Sequence, residues 1–358
     1  MKTFIRKCAL FFAIIFIIFV PFAVILDPYN VFHPTKLVNN GVEPNKNFIK
    51  PLNVIRNKDK YDSLLFGSSR VGFLDVEAMN DGIYYDMMAS EGLPAEHLTV
   101  LKSLIKRGFV PKNVTIGVDD ISYFVEPSLH DNILYRKMFP WDGSPVKKLG
   151  FFMSYLDPIT NFQSIETMVN HDVSDPDWGD RLLDTGTENL DIISDFNVSE
   201  NLKPYWADYY MPREEVLNEI AEIKNLCDEY DIKLRVFTNP VFGYTYMKDI
   251  DNGYLVFLEE LAEVTDYYNF SGFNDCTLDT ANYYENSHYT RAIGDKMIAC
   301  MYEGKVDERL LSQGFGFYVT KDNKEELLTI LRDQALNFDL PVNTYADTLN
   351  KTDEDEEE

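Results

Sequence analysis

The sequence predicts an α/β fold, a parallel sheet with helices on both faces. Three observations carry that reading. Hydrophobic residues make up 45% of the 358 and aromatics 14%, enough for a sizeable core. From Lys58 onward short apolar runs alternate with longer amphipathic ones, the rhythm of strands joined by crossover helices. Within one long run Val216, Leu217, Ile220, Ile223 and Leu226 recur mostly at three- and four-residue steps, which marks a helix with one buried face.

In chain order, Met1–Lys7 carries Lys2, Arg6 and Lys7, and the 19 residues from Cys8 to Leu26 hold no charge. At roughly 1.5 Å per residue they just cross a hydrocarbon core of about 30 Å. Residues 8–26 therefore read as an uncleaved single-pass anchor with Pro21 as a tolerated kink. Residues 1–7 stay cytoplasmic and the remainder lies outside, because basic flanks are retained inside. A cleaved signal peptide is the competing reading, but no clear small-x-small site follows. Residues 27–57, rich in Pro, Asn and Val, read as an extended stalk.

Strands are predicted at Ser63–Phe66, Ile83–Met88, Val114–Val118, Leu234–Phe237 and Asp266–Phe270. Helices are predicted at Pro94–Arg107, Arg213–Tyr230, Tyr254–Val264 and Thr290–Glu303, which gives a domain at 58–304. Residues 122–211 interrupt the rhythm and read as an insertion, with aromatics scattered from Tyr123 through Trp141 and Trp178 to Trp206. It either folds over the carboxyl edge of the sheet or packs those aromatics into a small core of its own. A C-terminal extension, 305–352, holds the unit Gly314–Thr320 and a helix at Lys324–Gln334. Residues 353–358 are a like-charge acidic tail.

Net charge is −26 and the pI about 4.5. That argues against a nucleic-acid partner, which needs a basic surface, and against peripheral adhesion to anionic lipid. Cys8, Cys227, Cys276 and Cys300 form no C-x-x-C pair, and no His/Cys group has zinc spacing, so neither metal nor cofactor is expected. One bridge plus a free thiol, or three buried thiols, both fit.

The chemistry collects at the strand ends, which share one edge in a parallel sheet, where ligands of open α/β folds bind. The run Leu64-Leu65-Phe66 stops at Gly67-Ser68-Ser69, the second strand at Ala89-Ser90-Glu91-Gly92, the third at Asp119-Asp120 and the fourth at Asn239. After the fifth comes Glu285-Asn286-Ser287-His288-Tyr289. A serine hydroxyl needs a base to become a nucleophile, and an imidazole titrates near the working pH. Ser69 is thus the candidate nucleophile, His288 its base and Glu285 the carboxylate that orients the imidazole. Backbone N–H groups of Ser69 and Gly92 are the candidate donors to a developing oxyanion.

These segments resemble, in order, the four signatures of the SGNH (GDSL-like) hydrolases: Gly-Asp-Ser, a lone Gly, Gly-x-Asn-Asp and Asp-x-x-His. The resemblance covers roughly Lys58 to Gly304. It implies a flavodoxin-like sheet and esterase or acyltransferase activity, with Ser69 as nucleophile, His288 as base and Gly92 as an oxyanion donor. With the anchor, the layout is similar to membrane-tethered members that assist D-alanylation of teichoic acid or O-acetylation of exopolysaccharide. The implied partners are a cell-envelope polysaccharide or teichoic-acid-like polymer and a membrane O-acyltransferase. Three positions depart from the pattern: Ser68 replaces Asp, Glu285 replaces Asp, and Asp119 stands where the family has its oxyanion-hole Asn. An ionised carboxylate only accepts hydrogen bonds, so Asp119 would have to be protonated, turned away or replaced in that role, for which Asn239 is the candidate. The expected function is an extracytoplasmic serine acyl-transfer enzyme. The alternative is an inactive module of the same fold that binds a glycan or a membrane partner.

Overall fold

The computed structural model describes residues 2–130, 132–171, 179–187 and 215–338. It comprises two compact units, Met1–Arg56 with Ser128–Asp184, and Asn57–Pro127 with Thr185–Glu358. The helices are α1 (Lys2–Leu26), α2 (Lys46–Arg56), α3 (Pro94–Lys106), α4 (Asp120–Phe124), α5 (Pro145–Ser154), α6 (Pro158–Asn170), α7 (Gly179–Asp184), α8 (Glu215–Glu229), α9 (Gly243–Asp251), α10 (Tyr254–Val264), α11 (Arg291–Glu303), α12 (Glu308–Ser312) and α13 (Lys324–Asn337).

The second unit is α/β. Its strands are β1 (Ser63–Phe66), β2 (Tyr84–Asp86), β3 (Asn113–Val118), β4 (Lys233–Thr238), β5 (Tyr267–Asn269) and β6 (Phe317–Val319), in the order β2-β1-β3-β4-β5-β6. β1 to β5 run parallel, and β6 pairs antiparallel with β5. All five predicted strands are present. β2 is shorter than predicted because the Asp86 carboxylate accepts the Met88 N–H at 2.7 Å, which turns the chain out of the ladder.

Period-two alternation explains how the strands meet the helices. Leu65 and Phe237 share a buried cluster with Ile293, Met297 and Met301 of α11, whereas Phe66 sets its ring 5.2 Å from that of His97 on α3. α3 opens with Pro94 at its first turn and Glu96 reaching back to the Leu93 N–H at 3.1 Å. α11 stops at Gly304, whose φ of 66° is left-handed and open to glycine. Residues 305–338 are more than the extension the sequence suggested. β6 completes the sheet, and α13 buries Leu327, Leu328 and Leu331. A three-residue edge strand next to Gly314 and Gly316 carries too short a period to be read from sequence.

In the first unit the stalk reading is corrected. Asp27 accepts the N–H groups of Val31 and Phe32 at 2.8 and 2.9 Å, and that of His33 at 2.6 Å, so the chain turns back immediately after α1. Residues 46–56 then form α2 despite Pro51. Val31, Leu37, Phe48 and Ile49 pack with Phe139, Trp141, Phe151, Tyr155 and Leu182 in one core. Asn45 ties the two stretches together by donating to the Leu134 and Lys137 carbonyls at 2.9 and 2.8 Å. Phe139, Trp141, Phe151 and Tyr155 of the insertion thus share a core with the former stalk, whereas Tyr123 stacks on Phe257 at 4.5 Å. Trp178, Tyr205, Trp206 and the acidic tail lie outside the described residues.

α1 is helical over 25 residues. Among the described residues no helix is long and apolar enough to cross a membrane, and most side chains of Cys8–Phe16 lie outside them. Cys227, Cys276 and Cys300 are buried free thiols. Burial pushes the Cys227 thiol up to about 12, which leaves it inert at neutral pH.

Candidate active site

β1 is fully buried and ends at Gly67, after which Ser69–Phe73 form a 3-10 turn. Ser68 caps that turn, its Oγ accepting the Arg70 N–H at 3.4 Å and donating to Asp119 at 2.7 Å. Ser69 is therefore held at the carboxyl end of β1 by backbone on one side and a buried hydrogen bond on the other. Its Oγ lies 2.7 Å from His288 Nε2. On the other side of the ring, His288 Nδ1 pairs with Glu285 Oε1, and Glu285 Oε2 accepts the Ser287 N–H at 3.0 Å. The sequence-predicted nucleophile, base and orienting acid are thus in line, 219 residues apart in the chain.

The loop that carries the base is closed at both ends. Tyr283 and Tyr289 form an antiparallel bridge, and the Tyr284 N–H donates to the His288 carbonyl at 2.9 Å. The Phe73 ring sits 5.5 Å from the imidazole. Burial pushes the Glu285 carboxyl up. The hydrogen bond and charge of His288, the Ser287 N–H and Arg70 outweigh it and hold the group below the usual glutamate range. An ionised Glu285 is what an imidazolium formed during proton transfer requires.

Arg70 is the residue the sequence reading missed. Its side chain is fully buried, and it joins the Ser69 turn to the His288 loop. Nε donates to the Ser287 carbonyl at 2.7 Å and Nη2 to Ser287 Oγ at 2.9 Å. The same guanidinium pairs with Asp120 and lies 3.1 Å from Asp119. Burial works against its charge, but the Asp120 and Asp119 carboxylates more than compensate and raise it well above the usual range. The signal was in the sequence: two adjacent carboxylates at the end of a buried strand need a cation, and Arg70 is next to the serine pair.

The expected oxyanion side is rearranged. Asp119 is fully buried and accepts from Ser68, from Asn239 Nδ2 at 3.1 Å and from the Ser122 N–H at 3.2 Å, where it caps α4. Asn239 is also fully buried, with its Oδ1 taken by the Tyr289 hydroxyl at 3.0 Å. Asp119 presents no donor to a ligand, and Asn239 spends one of its two amide N–H groups on Asp119. The two residues join the arginine network instead, because a buried carboxylate recruits every nearby donor. The Gly92 N–H donates to the Ala89 carbonyl at 3.0 Å, so it too is engaged. What Gly92 supplies is close approach, since a Cβ there would stand 2.4 Å from the Gly67 carbonyl oxygen. The Ser69 N–H, first in its turn, has no hydrogen-bond acceptor among the described residues, as is usual for the first N–H groups of a helical turn. Among the described residues no group of His, Cys, Asp and Glu could hold a metal ion.

No family model, curated protein or solved structure matches this chain.

Proposed function

We propose that the chain is an extracytoplasmic serine acyl-transfer enzyme of the SGNH type, an O-acyl esterase or acyltransferase acting on a cell-envelope glycan or teichoic-acid-like polymer. The observation that carries this reading is the line of Ser69, His288 and Glu285, with 2.7 Å between Oγ and Nε2. Ser69 Oγ attacks the acyl carbon and passes its proton to His288 Nε2, and the oxyanion forms beside the Ser69 N–H. His288 returns the proton to the departing alcohol oxygen, which leaves the acyl group on Ser69. Water or a glycan hydroxyl, deprotonated by His288, then takes the acyl group and restores the serine. Glu285 stays ionised throughout and stabilises the imidazolium.

The sheet order 2-1-3-4-5, with β6 added at the edge, supports a flavodoxin-like fold with helices on both faces. The membrane anchor is supported by the uncharged run Cys8–Leu26 and by exposed Leu10, Ile17, Phe22 and Ile25 along α1. A second reading, an inactive module that binds a glycan or a membrane O-acyltransferase, is favoured by one observation: Asp119 stands at the expected donor's place as an acceptor, and the Gly92 N–H is committed to the Ala89 carbonyl. Loss of one oxyanion donor typically costs about 2.7–4 kcal/mol of transition-state stabilisation.

Labelling with a fluorophosphonate separates the two. The enzyme reading expects covalent labelling of the wild-type chain that Ser69→Ala and His288→Ala abolish. Labelling equal to those controls favours the binding module.

A further inference from the structure

The first unit presents apolar side chains on the wrong side of two helices. α5 buries Phe151, and Tyr155 just past its end, in the core but leaves Val146, Leu149 and Met153 exposed. At about 100° per residue those three fall within about 60° of one another, opposite the buried pair. α6 is inverted outright: it buries Asn161 and Ser164 and exposes Ile159, Phe162 and Val169. The six side chains are 45% to 77% exposed. Single exposed apolar residues need no explanation, but stripes on two successive helices do.

Two facts identify what covers them. Tyr29 and Phe32 follow Leu26, the last residue of α1, by three and six positions. The Tyr29 ring meets Tyr155 at 5.6 Å and its hydroxyl lies 3.4 Å from Ser164 of α6, while the Phe32 ring lies 6.0 Å from Phe152 of α5. At roughly 3.5 Å per residue, both helices lie within about 20 Å of the end of α1. The second fact is charge. By sequence the first unit holds 12 basic and 11 acidic residues, and the second holds 21 and 48, so the whole acidic excess sits in the second unit.

We propose that the first unit rests on the outer lipid surface, with the exposed faces of α5 and α6 inserted among uncharged headgroups. The inference relies on the reading of α1 as the membrane anchor. Attachment is apolar rather than electrostatic, as for an interfacial helix whose apolar side sinks into the headgroup boundary. It agrees with a chain too acidic to adhere to anionic lipid by charge.

The test places a nitroxide label at Leu149→Cys or Phe162→Cys in the full chain, with Cys8→Ser, reconstituted in phosphatidylcholine vesicles. Thr99→Cys, exposed on α3 of the second unit, is the reference position. Collision rates with oxygen, which partitions into lipid, are compared with those of a water-soluble nickel chelate. The expected result is an oxygen-to-nickel ratio several-fold higher at 149 and 162 than at 99. Equal ratios at all three positions overturn the proposal. A ratio that rises only with protein density in the vesicle also overturns it and assigns the face to a second copy of the chain. Alkaline extraction of the same vesicles tests the anchor separately, because a chain released into solution removes the anchor while the label ratios still decide the surface.

Discussion

Replacing Arg70 by Met removes a cation that faces two fully buried carboxylates. Asp119 keeps its hydrogen bonds from Ser68, Asn239 and Ser122, whereas Asp120 loses its guanidinium partner. Breaking a buried ion pair from one side costs about 3–5 kcal/mol, a large part of the roughly 5–15 kcal/mol that holds a domain together. The loss depends on pH. Burial, with a contribution from Asp119, already raises the Asp120 carboxyl above its usual range against the pull of Arg70. A carboxyl raised in the folded state contributes stability that is complete below its unfolded pKa of about 3.9 and is lost as the pH climbs through the folded value. Without Arg70 that folded value climbs further, so the gap between wild type and Arg70→Met is smallest near pH 4 and widens toward pH 8. Hydrogen exchange of β3 peptides measures the sheet unit without requiring both units to unfold together. Arg70→Met/Asp120→Asn recovers part of the loss at pH 8. If β3 protection in Arg70→Met at pH 8 stays within about 0.5 kcal/mol of wild type, the charge argument is wrong.

Two further substitutions probe the site. Glu285→Gln removes the charge on the far side of the imidazole and lowers the rate of aryl-ester hydrolysis by on the order of 10²–10⁴, with little change in the thermal midpoint. Because the Glu285 carboxyl is held below its usual range, its support of His288 is complete above about pH 4.5 and is lost as the pH falls through the folded value. Both proteins keep an acid limb, because protonation removes the His288 base, but it lies at lower pH in Glu285→Gln, where no carboxylate stabilises the imidazolium; identical limbs in both proteins refute the assignment. Gly92→Ala sets a Cβ against the Gly67 carbonyl, a backbone atom that moves only with the Ser69 turn. The expected cost is about 1–3 kcal/mol and slower fluorophosphonate labelling, and labelling at the wild-type rate contradicts the close-approach argument.

The α/β class was legible because its signals are local. Ser63–Phe66 and Tyr254–Val264 coincide with their predicted bounds, being unbroken apolar or amphipathic runs between polar residues. Ser69, His288 and Glu285 could be nominated together because parallel strands bring their ends to one edge. Pairings that depend on tertiary charge balance were not legible. Asp119 stands where an oxyanion donor is expected, and its environment makes it an acceptor for four neighbours, none of them adjacent to it in the chain. The stalk reading failed at α2, where Phe48, Ile49, Leu52 and Ile55 carry helical spacing inside a stretch rich in Pro and Asn, and where Pro51 costs the helix a backbone hydrogen bond. Packing of Phe48 against Phe139, Trp141 and Phe151 offsets that penalty, and those partners lie 91 or more residues away.

The first unit is assembled from two stretches separated by more than seventy residues of the second. During synthesis from the amino end, Val31, Phe48 and Ile49 emerge early, yet their partners Phe139, Phe151 and Leu182 follow only after β1, β2 and β3 have been made. Val31, Phe48 and Ile49 therefore wait for their core until residue 182 has been made. Until residue 182 arrives, a set of aromatic and aliphatic side chains waits uncovered next to the most apolar helix of the chain. Nascent chains halted before Phe139 should leave Phe48 and Ile49 open to solvent probes, and chains halted after Leu182 should bury them.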